Sequence, residues 1–203
     1  GHQYLVEYYA LDNAGNACLV GEMTVGEEDT QAPESLLELN GVRGNNDWFI
    51  GDVQAILSAD DGNGFGVSSI SFQIDGGDWQ VYGGQLWFNE TGTHVLNYRS
   101  EDASGNVDIV RTAEFKVDKI APTAMMDVRD PDHGVWYNHS VPVSLGGNDV
   151  GSGLYAVQYR LNGGSWNSAE SFTLSTDATS LLEWRAVDTA GNYGEIGSMT
   201  LRL

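Results

Sequence analysis

"LNYRSEDASGN" (96–106) and "LEWRAVDTAGN" (182–192) repeat a pattern that first appears near the start of the chain as "VEYYALDNAGN" (6–16). In each copy an alternating strand with an inward aromatic runs into Asp, Gly and Asn at matching places, and Asp12, Asp102 and Asp188 recur at intervals of 90 and 86 residues. A period of this size marks a tandem array, in which one supersecondary unit is copied along the chain. Other landmarks recur in the same order. Ala32-Pro33 matches Ala121-Pro122, "NDWFIGDVQAILSADD" (46–61) matches "GVWYNHSVPVSLGGND" (134–149), and "GFGVSSISFQIDGGDW" (64–79) matches "GSGLYAVQYRLNGGSW" (151–166). The expected organisation is two complete repeats, 29–118 and 119–203, preceded over 1–28 by the closing strands of a third. On this reading the chain is a piece of a longer array. The alternative is that the strands at 1–28 complete a sandwich in a neighbouring molecule by strand addition.

The hydrophobic period is two. Ile70-Phe72-Ile74 and Val157-Tyr159-Leu161 alternate with polar residues, as do Val53-Ala55-Leu57 and Val141-Val143-Leu145, and Leu96-Tyr98-Ser100 and Leu182-Trp184-Ala186. One buried face per strand predicts antiparallel sheets with solvated backs. Asp75-Gly76-Gly77 and Asn162-Gly163-Gly164 predict hairpin turns, because Asp or Asn followed by Gly tolerates positive φ at both central residues. About seven short strands per repeat predicts tandem immunoglobulin-like antiparallel β-sandwiches, an all-β fold. A lone Cys18 excludes an internal disulfide.

Ala121-Pro122-Thr123, Trp136-Tyr137, "VSLGGNDVGSGLYAVQYRLNGGSW" (143–166) and "WRAVDTAGNYGE" (184–195) together resemble the Ig-like repeats of the D-x-A-G-N type strung along large bacterial and archaeal surface proteins. The resemblance covers both complete repeats and residues 1–16, with one departure: the loop "DDGNGFG" (60–66) is one residue longer than "NDVGSG" (148–153). It implies a non-catalytic, extracellular, prokaryotic cell-surface module that acts as spacer, adhesive stalk, surface-layer or filament building block. Its partners would be neighbouring repeats, or copies of itself. The alternative is an accessory, carbohydrate-binding module of a secreted hydrolase, with surface glycans as partners.

A formal charge of −20, from 29 acidic against 9 basic residues, repels phosphate backbones and argues against nucleic-acid binding. No apolar run approaches the roughly 18 residues of a membrane helix, so membrane insertion by this segment is not expected. The four histidines, His2, His94, His133 and His139, fall in no nucleophile–base or His-Glu-x-x-His pattern, so the chain reads as no enzyme. His94 is read as a turn residue just before its strand.

Three binding features stand out. Asp60, Asp61 and Asn63 leave the second strand of one repeat, Asn148 and Asp149 that of the next, and Asp102 and Asp188 end the strands before the D-x-A-G-N turns. If these strand ends share a pole, their oxygens would suit Ca²⁺, which takes six to eight oxygen ligands. The simpler reading is that Asp102 and Asp188 cap their own turns. Glu27, Glu28, Asp29 and Asp118 in the short, Pro-ended linkers are read as solvated, with junctional calcium as the other option. Of the six tryptophans, Trp48/Trp136 and Trp79/Trp166 recur and are read as packing in each core; unmatched Trp87 is the candidate sugar platform. Arg99 and Arg185, outward on equivalent strands, are expected to pair with acidic neighbours. Asn89 and Asn138 head sequons, candidates for N-glycosylation.

Overall fold

Strands account for every regular element in the computed structural model, which describes residues 3–26, 28–175 and 177–203. Strands β1 (Gln3–Leu11) and β2 (Ala17–Gly26) form a free-standing antiparallel hairpin. Next comes a sandwich of two sheets. One sheet holds β3 (Glu34–Asn40), β5 (Val53–Asp60) and β8 (Leu86–Phe88); the other runs in the order β4 (Trp48–Phe49), β10 (Arg111–Val117), β9 (Gly92–Asp102), β6 (Val67–Ile74), β7 (Gln80–Val81). The second sandwich repeats the plan, with β11 (Thr123–Val128), β12 (Val141–Asn148) and β15 (Ser171–Leu174) against β14 (Asn167–Ser168), β13 (Leu154–Leu161), β16 (Thr179–Asp188) and β17 (Gly197–Arg202). Pairing is antiparallel except for β4, which runs parallel to β10, a role played in the second sandwich by the Trp136–Arg202 bridge.

Alternation puts the apolar residues where the period requires. Val53, Ala55 and Leu57 of β5 and Leu96 and Tyr98 of β9 are buried with Phe49, Phe72, Phe88, Phe115 and Val117 in the first core. Val141, Val143 and Leu145 of β12, Leu182 of β16 and Leu201 of β17 fill the second, with Trp184 packed against it. Burying each such side chain contributes about 1.5–3 kcal/mol. The hairpin β1–β2 has no such cover: Val6, at the place of Leu96 and Leu182, is 42% exposed where they are 0%. Its turn is nevertheless formed. Asp12 Oδ1 accepts the Ala14 and Asn16 N–H groups and Oδ2 accepts Asn16 Nδ2, with Gly15 at φ 87. The D-x-A-G-N turn is thus fixed by its own residues, whether or not a core lies beneath it.

The hairpin turns are as expected, with Asp75 and Gly76 at φ 49 and 75, and Asn162 and Gly163 at φ 51 and 72. Asp75 also accepts the Val95 N–H at 2.7 Å and meets His94 Nδ1 at 2.9 Å. Burial opposes ionisation of this carboxyl, but these hydrogen bonds outweigh it and hold Asp75 below the ordinary carboxylate range.

Three expectations are corrected. His94 lies inside β9, because that strand begins at Gly92; its ring packs between Phe88 and Phe115, and Nε2 meets the Glu90 carbonyl at 3.0 Å. The recurrent tryptophans are surface rings rather than core. Trp79 and Trp136 are exposed, and Trp48 and Trp166 are half-buried. Arg99 and Arg185 make no ion pair among the described residues: they lie over Trp79 and Trp166, 4.8 and 4.3 Å from the ring centroids, and Arg160 covers Trp166 from 4.6 Å while forking onto Glu183. Cation–π contact of this kind contributes about 0.5–1 kcal/mol at exposed sites.

Candidate metal centre

Two groups of three carboxylates form at equivalent poles. Asp29, Asp61 and Asp102 meet in the first sandwich and Asp118, Asp149 and Asp188 in the second, with one oxygen from each residue lying within 4.8 Å of the others. Three elements converge: the linker entering the sandwich, the loop leaving the second strand (β5 or β12), and the end of β9 or β16.

Each carboxylate is positioned by backbone donors, in the same way twice. Asp102 Oδ1 accepts the Ser104 and Asn106 N–H groups and Oδ2 accepts Asn106 Nδ2; Asp188 Oδ1 accepts the Gly191 and Asn192 N–H groups and Oδ2 accepts Asn192 Nδ2, while the Ala190 N–H, at the place of Ser104, donates to Ser152 Oγ. The linker aspartate is held by the second-strand loop: Phe65 N–H donates to Asp29 Oδ2, and Ser152 N–H to Asp118 Oδ2 at 2.6 Å. Its own carbonyl accepts the amide of the turn asparagine, Asn106 to Asp29 and Asn192 to Asp118. In the loop, Gly66 N–H donates to Asp61 Oδ2 and Gly153 N–H to Asp149 Oδ2, both at 2.7 Å. Glycine is required at positions 64 and 151. A Cβ there would run into the Asp61 and Asp29 carboxylates in one sandwich and the Asp118 carboxylate in the other.

The second oxygen of the middle aspartate is different. Asp61 Oδ1 and Asp149 Oδ1 are both buried, and neither has a hydrogen-bond partner among the described residues. Buried carboxylate oxygens ordinarily find donors. Moreover, two unit charges 4.8 Å apart repel by about 3.5 kcal/mol at an effective dielectric of about 20. Asp118 and Asp188 are buried and Asp149 is half-buried. Burial also opposes the ionised form of Asp102, but donation from Asn106, Ser104 and Gly105 outweighs it and keeps that carboxyl below the ordinary range. The arrangement is a set of carboxylate oxygens, hydrogen-bonded from behind, converging on a point. A hard oxygen-seeking cation of the Ca²⁺ type fits that donor set.

Of the residues singled out from the sequence, Asp61, Asp102, Asp149 and Asp188 come together. Asp60 and Asn148 do not. They are exposed at the strand ends, one position before the converging aspartates and therefore on the opposite face; Asp60 instead accepts the Gly62 N–H at 2.8 Å. Asn63 is exposed in the same loop. The reading of the linker acids as solvated is corrected: Asp118 is buried and Asp29 half-buried, each supplying the third carboxylate, while Glu28 is exposed and Glu27 lies outside the described residues. Asn89 and Asn138 are exposed. Trp87 is 59% exposed on β8 and stands opposite Gln54.

No family model matches the chain. No curated protein matches it either. Among solved structures it is similar to the fibronectin(III)-like modules of Clostridium thermocellum CbhA, at 15% identity over 83% of this chain and 94% of that chain with a TM-score of 0.39. It is also similar to carbohydrate-binding modules from the β-sandwich superfamily (14% identity, 86% of each chain, TM-score 0.38) and to the D00-D0 domain of intimin (11% identity, 82% of this chain and 99% of that chain, TM-score 0.36). Likenesses at this level transfer no activity or ligand to this chain. Among the described residues no helix is long and apolar enough to cross a membrane.

Proposed function

We propose that this chain is a non-catalytic structural module of an extracellular surface protein, a spacer or stalk segment with units at 29–118 and 119–203, whose two aspartate triads hold calcium. What supports the reading is the duplication itself. The same fold, the same turn and the same three-carboxylate centre, complete with its unpartnered oxygen, are built twice in series. A catalytic site has no reason to recur at each joint of an array. A load-bearing element does, because every unit must carry its own core and its own connection.

Stretching single molecules tests the spacer reading. Repeats of 90 and 85 residues, extended at about 3.3–3.6 Å per residue, are expected to unfold as two separate steps of about 25–30 nm each. One step of twice that length would mean that the sandwiches share a single mechanical unit, and the reading would fail.

A second reading is favoured by one observation, the exposed ring of Trp87, which offers a flat apolar face beside Gln54. As an accessory module of a secreted hydrolase, the chain would stack a sugar there. Trp87→Ala is then expected to abolish binding to soluble polysaccharides in affinity electrophoresis without changing the melting temperature. Unretarded migration of the unaltered protein in every polysaccharide gel would remove this reading.

A further inference from the structure

We infer that the cation held by Asp118, Asp149 and Asp188 locks the joint between the two sandwiches, so that the divalent-ion concentration switches this segment between a hinged and a stiff state. The inference rests on the proposed loading of the triads with calcium and adds a mechanical consequence to it.

Asp118 is the residue through which the sandwiches are tied. Its N–H donates to the Phe49 carbonyl of the first sandwich at 2.7 Å. Its carboxylate accepts the Ser152 and Ile120 N–H groups and its carbonyl accepts Asn192 Nδ2 on the other side. Asp188, the second member of the triad, heads the turn that the first sandwich touches. Asn45 N–H donates to the Ala190 carbonyl at 2.7 Å, and Asn46 Nδ2 to the Thr189 carbonyl at 2.9 Å. The approach is close enough that a Cβ on Gly44 would strike the Ala190 carbonyl. The touching loop holds Asn46 and Asp47 at φ 52 and 63, the left-handed region that Asn and Asp enter more readily than other non-glycine residues.

The metal centre and the joint therefore share their parts: linker, turn and triad. Besides the acidic cluster, the buried Asp149 Oδ1 points to a ligand, since no partner among the described residues reaches it and its counterpart Asp61 Oδ1 is in the same state. With calcium bound, Asp118 is pulled onto Asp149 and Asp188, and the turn at 188–192 is held against the loop at 43–47. Without it, like charges drive the three carboxylates apart. Asp118 is the one free to leave, because its backbone is the connection between the two bodies.

The test uses spin labels at Asp78→Cys and Ser165→Cys, exposed and equivalent positions of the two sandwiches, in a Cys18→Ser background. Electron–electron distance distributions are measured in calcium chloride and in EDTA, and calcium uptake is titrated calorimetrically on the same samples. The expected result is two calcium ions per chain and a distribution that narrows with calcium. Asp61→Asn should lose one ion yet still narrow. Asp149→Asn should lose one ion and stay broad. Asn46→Ala touches no ligand and should bind two ions with a broader distribution than the parent. Two bound ions with an unchanged width would overturn the locking of the joint and leave calcium loading standing. No uptake of calcium would overturn the loading itself, and the joint mechanism with it.

Discussion

In calcium at a hundredfold excess over the dissociation constant, each sandwich is expected to melt about 10–20 °C higher than in chelator. A ligand that binds only the folded state at that excess contributes about 2.7 kcal/mol per site. In domains of this size each kcal/mol moves the midpoint by about 4–8 °C. The diagnostic variant is Asp149→Asn. It keeps the oxygen that accepts the Gly151 and Gly153 N–H groups at 3.0 and 2.7 Å, and removes one charge from the triad. Two effects then compete with opposite sign. In chelator, loss of a charge relieves like-charge repulsion within the triad, so the second sandwich is expected to melt no lower than the parent. In calcium the variant forgoes the binding contribution and is expected to melt well below the parent. Scanning calorimetry under both conditions reads this crossing. A variant that differs from the parent by the same amount in calcium and in chelator would show that Asp149 holds no calcium.

Much of the fold is legible because two local rules carry it. Alternation is a property of the extended backbone, so Val53-Ala55-Leu57 and Leu182-Trp184-Ala186 announce their buried faces without reference to any partner. The D-x-A-G-N turn is equally local, since Asp12 builds it in a hairpin that has no sandwich around it. The site was legible only where it overlaps those rules. Asp102 and Asp188 stand out as turn heads, and Asp61 and Asp149 as strand ends. Asp29 and Asp118 stand out only as one of two options, junctional calcium beside a solvated linker, because they join the centre across more than 70 residues of chain, to Asn106 and Asn192, and nothing in a linker's composition tells a buried acid from a solvated one. The available signal was positional: both aspartates stand four residues before a proline, Pro33 and Pro122. The tryptophans misled for a related reason. Recurrence says that a residue has the same surroundings in each copy, and Trp79 and Trp166 do, but those surroundings are Arg99 and Arg185 on the outer face rather than the core.

Leu182→Ala is expected to destabilise the second sandwich by about 2–5 kcal/mol while leaving the first sandwich's melting transition in place, when both are observed in chelator. The side chain is fully buried among Val141, Val143, Val157 and Leu201, so its removal combines lost burial with a cavity that two facing sheets close poorly. Leu96→Ala should do the same to the first sandwich, whose core of Phe49, Val53, Leu57 and Phe115 shares no member with the second. Residues with no shared partner contribute additively, so the double variant should show each transition lowered by its own amount. Calcium gives this pair of variants a further use. If the cation ties Asp118, Asp149 and Asp188 to the joint, calcium makes the first sandwich feel the second through the Asn45–Ala190 and Asn46–Thr189 contacts, and the two transitions of Leu182→Ala should draw together. Transitions equally coupled with and without calcium would mean that the sandwiches are one cooperative body at all times. A permanently fused pair cannot serve as independent links of a spacer, so that outcome would count against the proposed function at its root.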